Sequence, residues 1–330
     1  MAVLAHAYYE EDSRVRREAE ALVRAGRPVD VFALRRPGDP PEGELDGVVI
    51  HRLDVRRHQG AGIGVYVREY LDFLARASIA LARAHRARRF ALVHVDTLPD
   101  FLVFAAMPVK LAGVPVLLDL HEAMPEFFRA RFPRRASRVA QGLLRLQERA
   151  SIAAADAVVT VNDALGDRLV ALGTPAAKVT VILNTPDVAL FAAAAHEERA
   201  FMADGVLRLV YAGALTPTYE IDVAIEAVAA LARQRPELPV ALEVYGRGDA
   251  EPALRATAAG LGVADRVRFH GRVALEAVPA AIAGADIGLA PTRRTPFTDF
   301  SLSTKLFEYA SMRKPAVASA LPTVARYFGP

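Results

Sequence analysis

The sequence predicts an α/β protein with two doubly wound parallel sheets. Short apolar runs typical of buried strands alternate with amphipathic helical segments over residues 2–183, and this alternation is the usual pattern of parallel sheets. It stops in an alanine-rich, charged stretch at 184–204 and resumes at Leu207. We therefore predict an N-terminal domain at 1–187, a linker at 188–205 and a C-terminal domain at 206–330, with the two domains facing each other across a cleft.

The individual elements follow from periodicity and from helix-ending residues. A helix that begins near Arg14 has one apolar face and ends at Gly26, and the loop predicted at Arg36–Glu44 is rich in proline and glycine. The predicted strands are 2–7, 28–34, 48–53, 91–95, 114–118, 157–161, 179–183, 207–211, 240–244, 267–269, 287–290 and a buried one at 316–318. The other predicted helices are 64–87, 98–111, 136–154, 162–172, 222–235, 250–260, 275–282 and one that begins at 302.

Composition restricts the function classes. The chain has 330 residues, 53% of them hydrophobic, which is enough for two cores. The formal net charge of +3 is too small to indicate a nucleic-acid binder, and the lack of cysteine excludes disulfides and thiolate metal sites. The N-terminus lacks a secretory signal pattern, and no uncharged apolar run is long enough for a transmembrane helix. We expect a cytoplasmic protein, and a peripheral contact with the inner face of the membrane stays open.

The most informative stretch is Ser301–Ser319, with the sequence SLSTKLFEYASMRKPAVAS. Apolar residues from Leu302 onward recur at helical spacing, whereas Lys305 and Glu308 lie off this stripe, and Pro315 ends the helix. A helix N-terminus with a lysine favours a phosphate, and a carboxylate one turn further on can accept hydrogen bonds from two sugar hydroxyls. The same residues are equally consistent with an ordinary amphipathic helix that carries a solvated Lys–Glu pair.

The run S-x-S-x-K-L-F-E-Y-x-x-x-x-K-P-x-V-A-S resembles the donor-site segment of retaining glycosyltransferases of family 4, which have the GT-B fold. This resemblance implies two Rossmann-like domains, of which the second binds a nucleotide-sugar donor and the first an acceptor. It also implies that Glu308 binds the donor ribose and that Lys305 faces the donor phosphates. The backbone that accompanies Lys305 in this role belongs to Ser301, Leu302 and Ser303. Since the family's second domain is normally longer, we expect the C-terminal domain to be incomplete.

Three positions depart from the family pattern. Many relatives have a glutamate at the position of Phe300, an arginine at that of Ala214 and a lysine at that of Tyr219. The two missing cations would neutralise the diphosphate leaving group as the glycosidic bond breaks. We expect the positive field to come instead from helix-terminal amides and from Lys305, Arg293 and Arg294, and weak catalysis is the alternative.

Three loops after predicted strands are the other donor-site candidates. Ligands bind at the carboxyl ends of parallel strands, and glycines let the backbone approach a ligand closely. Each loop is also consistent with an ordinary turn, and it is the resemblance that assigns them to the donor pocket, the last of them against the nucleotide base. The residues are Gly213, Gly246, Arg247, His270, Gly271 and Arg272.

The acceptor-site candidates follow strands of the first domain. His121, followed by Glu122, comes after a strand where the family also has a histidine, and the resemblance implies that His121 orients the acceptor hydroxyl or accepts from it. A lone histidine can equally be a structural hydrogen-bonding residue. We assign catalytic roles to His121, Lys305 and Glu308. The remaining acceptor-site candidates are Tyr8, Tyr9, Arg14, His94 and Asp96.

Two further patterns bear on partners. The stretch Phe127–Arg138 mixes phenylalanines with arginines, which suits an anionic lipid surface but also a solvated basic loop with buried rings. No Asp-x-Asp pair or histidine cluster stands out at strand ends, so we expect no metal and no other cofactor.

The sequence thus predicts a metal-independent retaining glycosyltransferase. It would move a sugar from a nucleotide-diphosphate sugar to a hydroxyl of a glycan, a lipid-linked acceptor or a small molecule, by front-face displacement assisted by the leaving phosphate. One alternative is an epimerase or hydrolase of the same fold, and another is a nucleotide-sugar-binding protein without activity. An NAD-dependent dehydrogenase is disfavoured, because no G-x-G-x-x-G follows the first strand.

Overall fold

The computed structural model describes residues 1–58, 62–132, 135–197 and 199–329. The chain divides into two compact units, Met1–Asn184 and Thr185–Pro330. The predicted linker at 188–205 therefore lies entirely in the second unit, where Phe191 packs into a core, while the exact linker limits stay a prediction. Glu198 of that linker, Pro133 and Arg134 of the basic aromatic stretch, and Pro330 lie outside the described residues.

The first unit contains an eight-stranded sheet in the order β3-β4-β2-β1-β5-β6-β7-β8. All neighbouring pairs are parallel except β3 and β4, which are antiparallel. The strands are β1 (Ala2–Leu4), β2 (Asp30–Leu34), β3 (Glu42–Leu45), β4 (Val48–Leu53), β5 (Val93–Asp96), β6 (Val116–Leu120), β7 (Ala157–Thr160) and β8 (Val179–Val181). The α-helices are α1 (Ser13–Arg24), α2 (Ile63–Arg88), α3 (Met107–Lys110), α4 (Met124–Arg131), α5 (Arg138–Ala154) and α6 (Asp163–Ala171).

Apolar side chains on both faces of this sheet are buried. Along β1, Ala2 and Leu4 belong to one hydrophobic cluster and Val3 to another, because successive side chains of a strand point to opposite faces. The first cluster is completed by residues of α2 such as Phe73, and the second by residues of α1 such as Val15. Burial on two faces explains why these strands are continuous apolar runs rather than alternating ones.

The second unit contains a five-stranded parallel sheet in the order β11-β10-β9-β12-β13. The strands are β9 (Leu207–Ala212), β10 (Val240–Tyr245), β11 (Val267–Gly271), β12 (Ile287–Ala290) and β13 (Ala316–Ala318). The helices are α7 (Ile221–Gln234), α8 (Glu251–Gly260), α9 (Val278–Ala283), α10 (Thr304–Ser311) and α11 (Pro322–Phe328). The prediction of two doubly wound, Rossmann-like α/β sheets is confirmed.

Two strand predictions need correction. The segment predicted as a loop at Arg36–Glu44 contains the start of β3, which forms a hairpin with β4 through Asp46 and Gly47, both at positive φ. An Asp-Gly pair is a strong signal for such a two-residue turn, so this hairpin was readable from the sequence. The strand at 316–318 exists but is not buried, since Val317 is 59% exposed on the edge strand β13.

Several element limits also differ from the prediction. The segment 98–111 is a 3-10 helix at Asp100–Ala106 followed by the short α3, rather than one α-helix. Strand β6 continues through Asp119 and Leu120, and β11 continues through His270 and Gly271, so these residues are the ends of strands rather than parts of the following loops. Among the described helices, none has the length and apolar character needed to cross a bilayer.

The packing of α10 on the second sheet depends on a glycine. Tyr309 of α10 is fully buried, and its hydroxyl donates a hydrogen bond to the carbonyl of Leu289 at 3.0 Å. A Cβ atom at the neighbouring Gly288 would lie only 2.5 Å from ring atoms of Tyr309. The absence of a side chain at Gly288 therefore lets the helix pack against β12.

We expect the substitution Gly288→Ala to lower the free energy of unfolding by about 1–3 kcal/mol, because the added methyl group overpacks the Tyr309 ring. Urea denaturation followed by circular dichroism measures this change. Gly284→Ala is the matched control, because a Cβ there would have no neighbour closer than 3.5 Å. Equal stability of the two variants would contradict this account of the packing.

Candidate functional site

In the second unit, two loops and the end of a third strand are joined by backbone hydrogen bonds at the carboxyl edge of the sheet. The loop after β9 is bonded to the end of β10 and to the loop after it, and the loop after β10 is bonded to the end of β11. The bonds run from Gly213 N to Tyr245 O (2.8 Å), from Leu215 N to Arg247 O (3.0 Å) and from Gly246 N to Gly271 O (2.8 Å).

Glycines make this close approach possible. A Cβ atom on Gly246 would overlap the carbonyl oxygen of Gly213, and one on Gly248 would overlap that of Leu215. Gly213 in turn is close to α10, since a Cβ there would lie 2.5 Å from Lys305 Cε. The sequence analysis named two of these glycines, and the contacts give each a packing reason.

Lys305 is buried beside these loops, with only 8% of its surface exposed. Its ammonium nitrogen lies 5.1 Å from the centroid of the Tyr211 ring and 4.5 Å from that of Tyr219, distances at which aromatic rings attract a cation. The burial of Lys305 contradicts the alternative of an ordinary helix with a solvated Lys–Glu pair, whereas its role toward a phosphate stays a prediction. The lack of a side chain on Gly213 leaves the space into which the lysine packs.

Helix α10 begins later than predicted, at Thr304. The preceding Ser301–Ser303 is not helical, and Ser303 is the N-cap, without a side-chain capping hydrogen bond. Leu302 is thus outside the helix. The first turn of an α-helix has backbone N–H groups without intrahelical partners. Lys305 lies in this first turn and Glu308 one turn further on, so amide donors, an ammonium group and a carboxylate occur together in α10.

In the first unit, a charged cluster forms around Asp119 at the end of β6. Asp119 is completely buried, and its Oδ2 atom accepts hydrogen bonds from Arg14 Nη2 at 2.7 Å and Nε at 3.2 Å. Arg14 lies on α1 and also pairs with Glu18 at 3.1 Å. The sequence analysis named Arg14 but missed Asp119 and Glu18. An acidic residue inside the apolar strand VLLDL was the available signal, because such a buried charge needs partners.

Two histidines complete the cluster. The Nε2 atom of His121 lies 2.7 Å from Asp96 Oδ1 and 3.2 Å from Asp119 Oδ2, as ion pairs whose N–H direction is not well aligned. His94 Nε2 lies 3.4 Å from Asp119 Oδ2. Because β5 and β6 are neighbours and parallel, Asp96 and His121 are brought to the same edge of the sheet.

The three remaining acceptor-site candidates are in different surroundings. Tyr9 is buried in the hydrophobic cluster beneath α1, whereas Tyr8 packs against the other cluster of the unit and its ring contacts the guanidinium of Arg36. Glu122 is half-buried, and its Oε2 atom has no hydrogen-bond partner among the described residues. Of the seven predicted acceptor-site residues, only Arg14, His94, Asp96 and His121 come together through these ion pairs and hydrogen bonds.

Comparison with known families assigns both units. Residues 12–185 match the glycosyl transferase 4-like domain, and residues 207–328 match the glycosyl transferases group 1 domain. The chain belongs to this glycosyltransferase family. A comparison with curated proteins gave no match.

Solved structures confirm that this glycosyltransferase has the GT-B fold. Sucrose-phosphate synthase from Thermosynechococcus elongatus is similar at a TM-score of 0.74 and 19% identity, over 98% of this chain and 82% of that one. WaaG, a glycosyltransferase involved in lipopolysaccharide biosynthesis, is similar at a TM-score of 0.69 and 17% identity, over 99% of this chain and 82% of that one. HepE of Anabaena in complex with UDP and glucose is similar at a TM-score of 0.67 and 16% identity, over 98% of this chain and 82% of that one. At these identities the likeness concerns the fold.

Electrostatics set the protonation of the cluster around Asp119 in this glycosyltransferase. Burial disfavours a charged imidazole, but the attraction of Asp96 and Asp119 outweighs it and raises the pKa of His121 to about 10. Burial would likewise raise the pKa of Asp119, but the contacts with His121 and His94 and the charge of Arg14 hold it well below its usual range. At neutral pH, His121 is therefore an imidazolium and cannot accept a proton.

Unlike Asp119, two other carboxyl groups near His121 have raised pKa values. Burial raises the pKa of Asp96, although His121 counteracts this, and burial raises the pKa of Glu122. In the second unit, burial lowers the pKa of Lys305, while Glu308 acts to raise it. The charged form of Lys305 is thus desolvated, which strengthens its attraction for an anion.

The same cluster has to be weighed as a metal site. Among the described residues, two groups each bring three possible ligand atoms within 4.8 Å of one another, namely Glu18, His94 and Asp119, and Asp96, Asp119 and His121. Both sets share Asp119, whose Oδ2 atom already accepts two hydrogen bonds from Arg14. Protein cations therefore surround the Oδ2 atom of Asp119, whereas its Oδ1 atom is buried without a hydrogen-bond partner among the described residues.

The other donor-site candidates also have defined positions. The His270 ring stacks on Tyr245 at 4.3 Å, and its Nε2 atom lies 2.6 Å from Glu243 Oε2. The Arg247 side chain runs past Gly271, whereas Arg272 is exposed. Ala214 and Tyr219, the two residues of the loop after β9 that differ from the family pattern, both make contacts. The Ala214 carbonyl accepts a hydrogen bond from the Tyr211 hydroxyl, and the Tyr219 ring faces Lys305. Phe300 ends a 3-10 helix just before Ser301. The functional roles of these residues stay predictions.

We expect two histidines of the first unit to have opposite charge states at neutral pH. The pKa of His121 is raised to about 10, whereas burial and the nearby Arg57 lower the pKa of His6 to about 4. Ring-nitrogen NMR at pH 7 should therefore show an imidazolium for His121 and a neutral ring for His6, with His6→Gln and His121→Gln used for assignment.

The raised pKa of His121 also has a consequence for stability. Its protonation stabilises the fold fully below the ordinary value near 6.5, and this contribution is lost as the pH rises through about 10. The loss of unfolding free energy on His121→Gln should accordingly be larger at pH 6.5 than at pH 10. A loss that grew with pH would show that the imidazolium is not favoured in the folded state.

Proposed function

We propose that this glycosyltransferase transfers a glycosyl group from a nucleoside diphosphate sugar to an acceptor hydroxyl with retention of the anomeric configuration. The acceptor oxygen bonds to the anomeric carbon as the bond from that carbon to the diphosphate oxygen breaks. The acceptor proton passes to the departing diphosphate on the same face. The second unit binds the donor and the first unit binds the acceptor.

The observation that carries this proposal is the buried lysine of α10 at the glycine-rich loops. Lys305 is desolvated beside Gly213, where it can neutralise a diphosphate as negative charge develops on it. The loops after β9 and β10 and the end of β11 form a continuous backbone edge at the carboxyl ends of the strands, where parallel sheets bind their ligands. HepE, which is similar to this chain, is described with UDP and glucose, and a uridine nucleotide is the donor to test first.

The raised pKa of His121 supports a defined role for this residue in acceptor binding. As an imidazolium, this residue would donate a hydrogen bond to the acceptor and orient it, rather than remove its proton. The proton then has to go elsewhere, and the leaving diphosphate is an adequate base at the point where its bond to carbon breaks. This division agrees with the sequence-based hypothesis of front-face displacement.

We also propose that the reaction needs neither a metal nor another cofactor. The diphosphate charge can be met by Lys305 and by the amide groups at the start of α10. In the first unit, Arg14 donates a hydrogen bond to one oxygen of Asp119, the carboxylate that both groups of possible ligands share. Equal rates in chelator and in added Mg²⁺ would support this proposal.

We expect Glu308→Ala to weaken UDP binding by roughly 10- to 100-fold in calorimetric titration, because a carboxylate that accepts from two ribose hydroxyls is lost. Lys305→Met should weaken UDP more than uridine, since uridine lacks the diphosphate that the ammonium group attracts. Glu276→Ala is the control, because Glu276 is an exposed residue elsewhere in the second unit.

Unchanged UDP binding in Glu308→Ala, with GDP and ADP also unaffected, would refute the donor site. Release of free sugar from a UDP-sugar at the same rate with and without acceptors would favour the hydrolase alternative. Binding without any turnover would favour the nonenzymatic alternative.

A peripheral contact with an anionic membrane is part of the proposal. On α5, Val139, Leu143 and Leu146 are 73%, 62% and 65% exposed, and their spacing places them in one stripe along the helix. A row of exposed arginines flanks this stripe, at Arg138, Arg145 and Arg149. An apolar stripe beside a row of cations is the pattern of a helix that lies on an anionic bilayer.

We expect the triple variant Val139→Asn/Leu143→Gln/Leu146→Gln to lose most of its co-sedimentation with vesicles of phosphatidylcholine and phosphatidylglycerol, because the buried apolar area is lost. The control is Leu275→Gln, which removes an exposed apolar residue of the second unit, 48% exposed. Retention of binding by the triple variant would exclude α5 as the contact surface.

A further inference from the structure

An arginine-rich cavity of about 610 Å³ lies at the carboxyl edge of the first sheet. Strands β2 and β4 are parallel neighbours in register from Asp30 with Val49 to Leu34 with Leu53, so the segments that follow them leave the sheet side by side. Tyr8, which follows the adjacent β1, forms another wall. The charged residues that line the cavity are Arg35, Arg36, Arg56, Arg57, Asp39 and Asp54.

The cavity has an excess of positive charge that its own carboxylates do not neutralise. Arg35 pairs with Asp54 at 2.7 Å, and Arg36 pairs with Glu10 at 3.3 Å. Arg56 and Arg57 have no carboxylate within 4 Å among the described residues. Arg35 and Arg36 are thus paired, whereas Arg56 and Arg57 bring two positive charges that no such ion pair offsets, enough to match the charge of one phosphate group.

The two unpaired arginines belong to a segment that is anchored on both sides. Val55 is 3% exposed and packs in the core beneath the sheet. His58 is held by the buried Glu69 of α2, whose Oε2 atom accepts from the His58 backbone N–H at 2.7 Å and lies 3.0 Å from its ring Nδ1. Arg56 and Arg57 therefore start from a fixed backbone, and less entropy is lost when they bind a ligand.

Two of the guanidinium groups contact the ring of Tyr8. Arg36 lies 4.9 Å and Arg57 5.6 Å from its centroid, so the two cations of neighbouring loops face one ring. Guanidinium groups bind phosphate oxygens bidentately and with charge-assisted hydrogen bonds. The sequence analysis assigned Tyr8 to the acceptor site without any reason beyond its place after the first strand.

We propose that this arginine cavity binds a phosphate or diphosphate group of the acceptor, so that the acceptor of the glycosyltransferase is a phosphate-bearing molecule. The proposal rests on the proposed function, since it names the acceptor class for the same unit. Arg56 and Arg57 are the specificity-determining residues, and Glu69 is a positioning residue that acts through His58.

The strand order also limits the shape of this acceptor. Tyr8 follows β1 and Arg35 follows β2, whereas His121 follows β6, which is two strands from β1 and three from β2. At about 4.8 Å between strands, the phosphate would lie roughly 10–15 Å from the hydroxyl that His121 orients. The acceptor would thus carry its phosphate two or three sugar lengths from the reacting hydroxyl.

The test is calorimetric titration of the full chain with pyrophosphate in the presence of saturating UDP, which occupies the donor site. Arg56→Gln/Arg57→Gln should weaken pyrophosphate binding on the order of 100-fold, because two charge-assisted contacts are lost. Arg24→Gln/Arg27→Gln is the matched control, which removes the same charge from exposed positions outside the cavity, and should change the affinity less than about threefold.

Equal weakening in both double variants, or no binding of pyrophosphate to the unmodified chain, would overturn the proposal. Glu69→Gln keeps the shape of the side chain but weakens its hold on His58, and should reduce pyrophosphate affinity without changing UDP affinity. UDP binding is measured separately, so a failed donor site with intact pyrophosphate binding counts against the proposed function alone.

Competition distinguishes the two sources of the phosphate. Displacement of pyrophosphate by glucose 6-phosphate, but not by phosphatidylcholine vesicles that contain phosphatidic acid, would indicate a soluble phosphorylated sugar. Displacement by those vesicles alone would indicate a lipid-linked phosphate. Either result supports the phosphate site if it disappears in Arg56→Gln/Arg57→Gln, and persistence of the displacement in that variant would refute it.

Discussion

The buried carboxylate of Asp119 is the constraint around which the first unit is arranged. A charge removed from water is tolerated only where compensating charges and hydrogen bonds surround it. Here Arg14 reaches it from α1, while His94 and His121 reach it from β5 and from the loop after β6. The same contacts fix the position of α1 on the sheet edge and hold His121 in its protonated form.

The second unit also buries a charged side chain, in this case the ammonium group of Lys305. Lys305 is buried against two aromatic rings and beside Gly213, and aromatic faces offset only part of the cost of desolvating an ammonium group. The lowered pKa of Lys305 is the sign of that remaining cost. Glu308 acts against this shift, and the diphosphate of the proposed donor would offset more of the cost.

The spacing of apolar residues and the positions of turn residues predicted most helices and strands, because these elements form through interactions between residues close together in the chain. The strands at 48–53 and 287–290 agree with β4 and β12 in both limits, since each begins with a β-branched residue and is bounded by turn or polar residues. The helix predicted at 98–111 failed, as a 3-10 segment and a short α-helix have the same apolar spacing over a few residues. The missed hairpin at β3 had a readable Asp-Gly signal, so that error lay in the interpretation.

By itself, the sequence determined the α/β class with two doubly wound sheets, and its C-terminal motif indicated the glycosyltransferase family. These depend on periodicity and on residues close together in the chain. Only the tertiary structure decided that Lys305 is buried, that Asp119 joins Arg14 and His121, and that arginines after β2 and β4 share one cavity. The physical reason is that burial and charge pairing depend on distances between residues far apart in sequence, which the strand order sets.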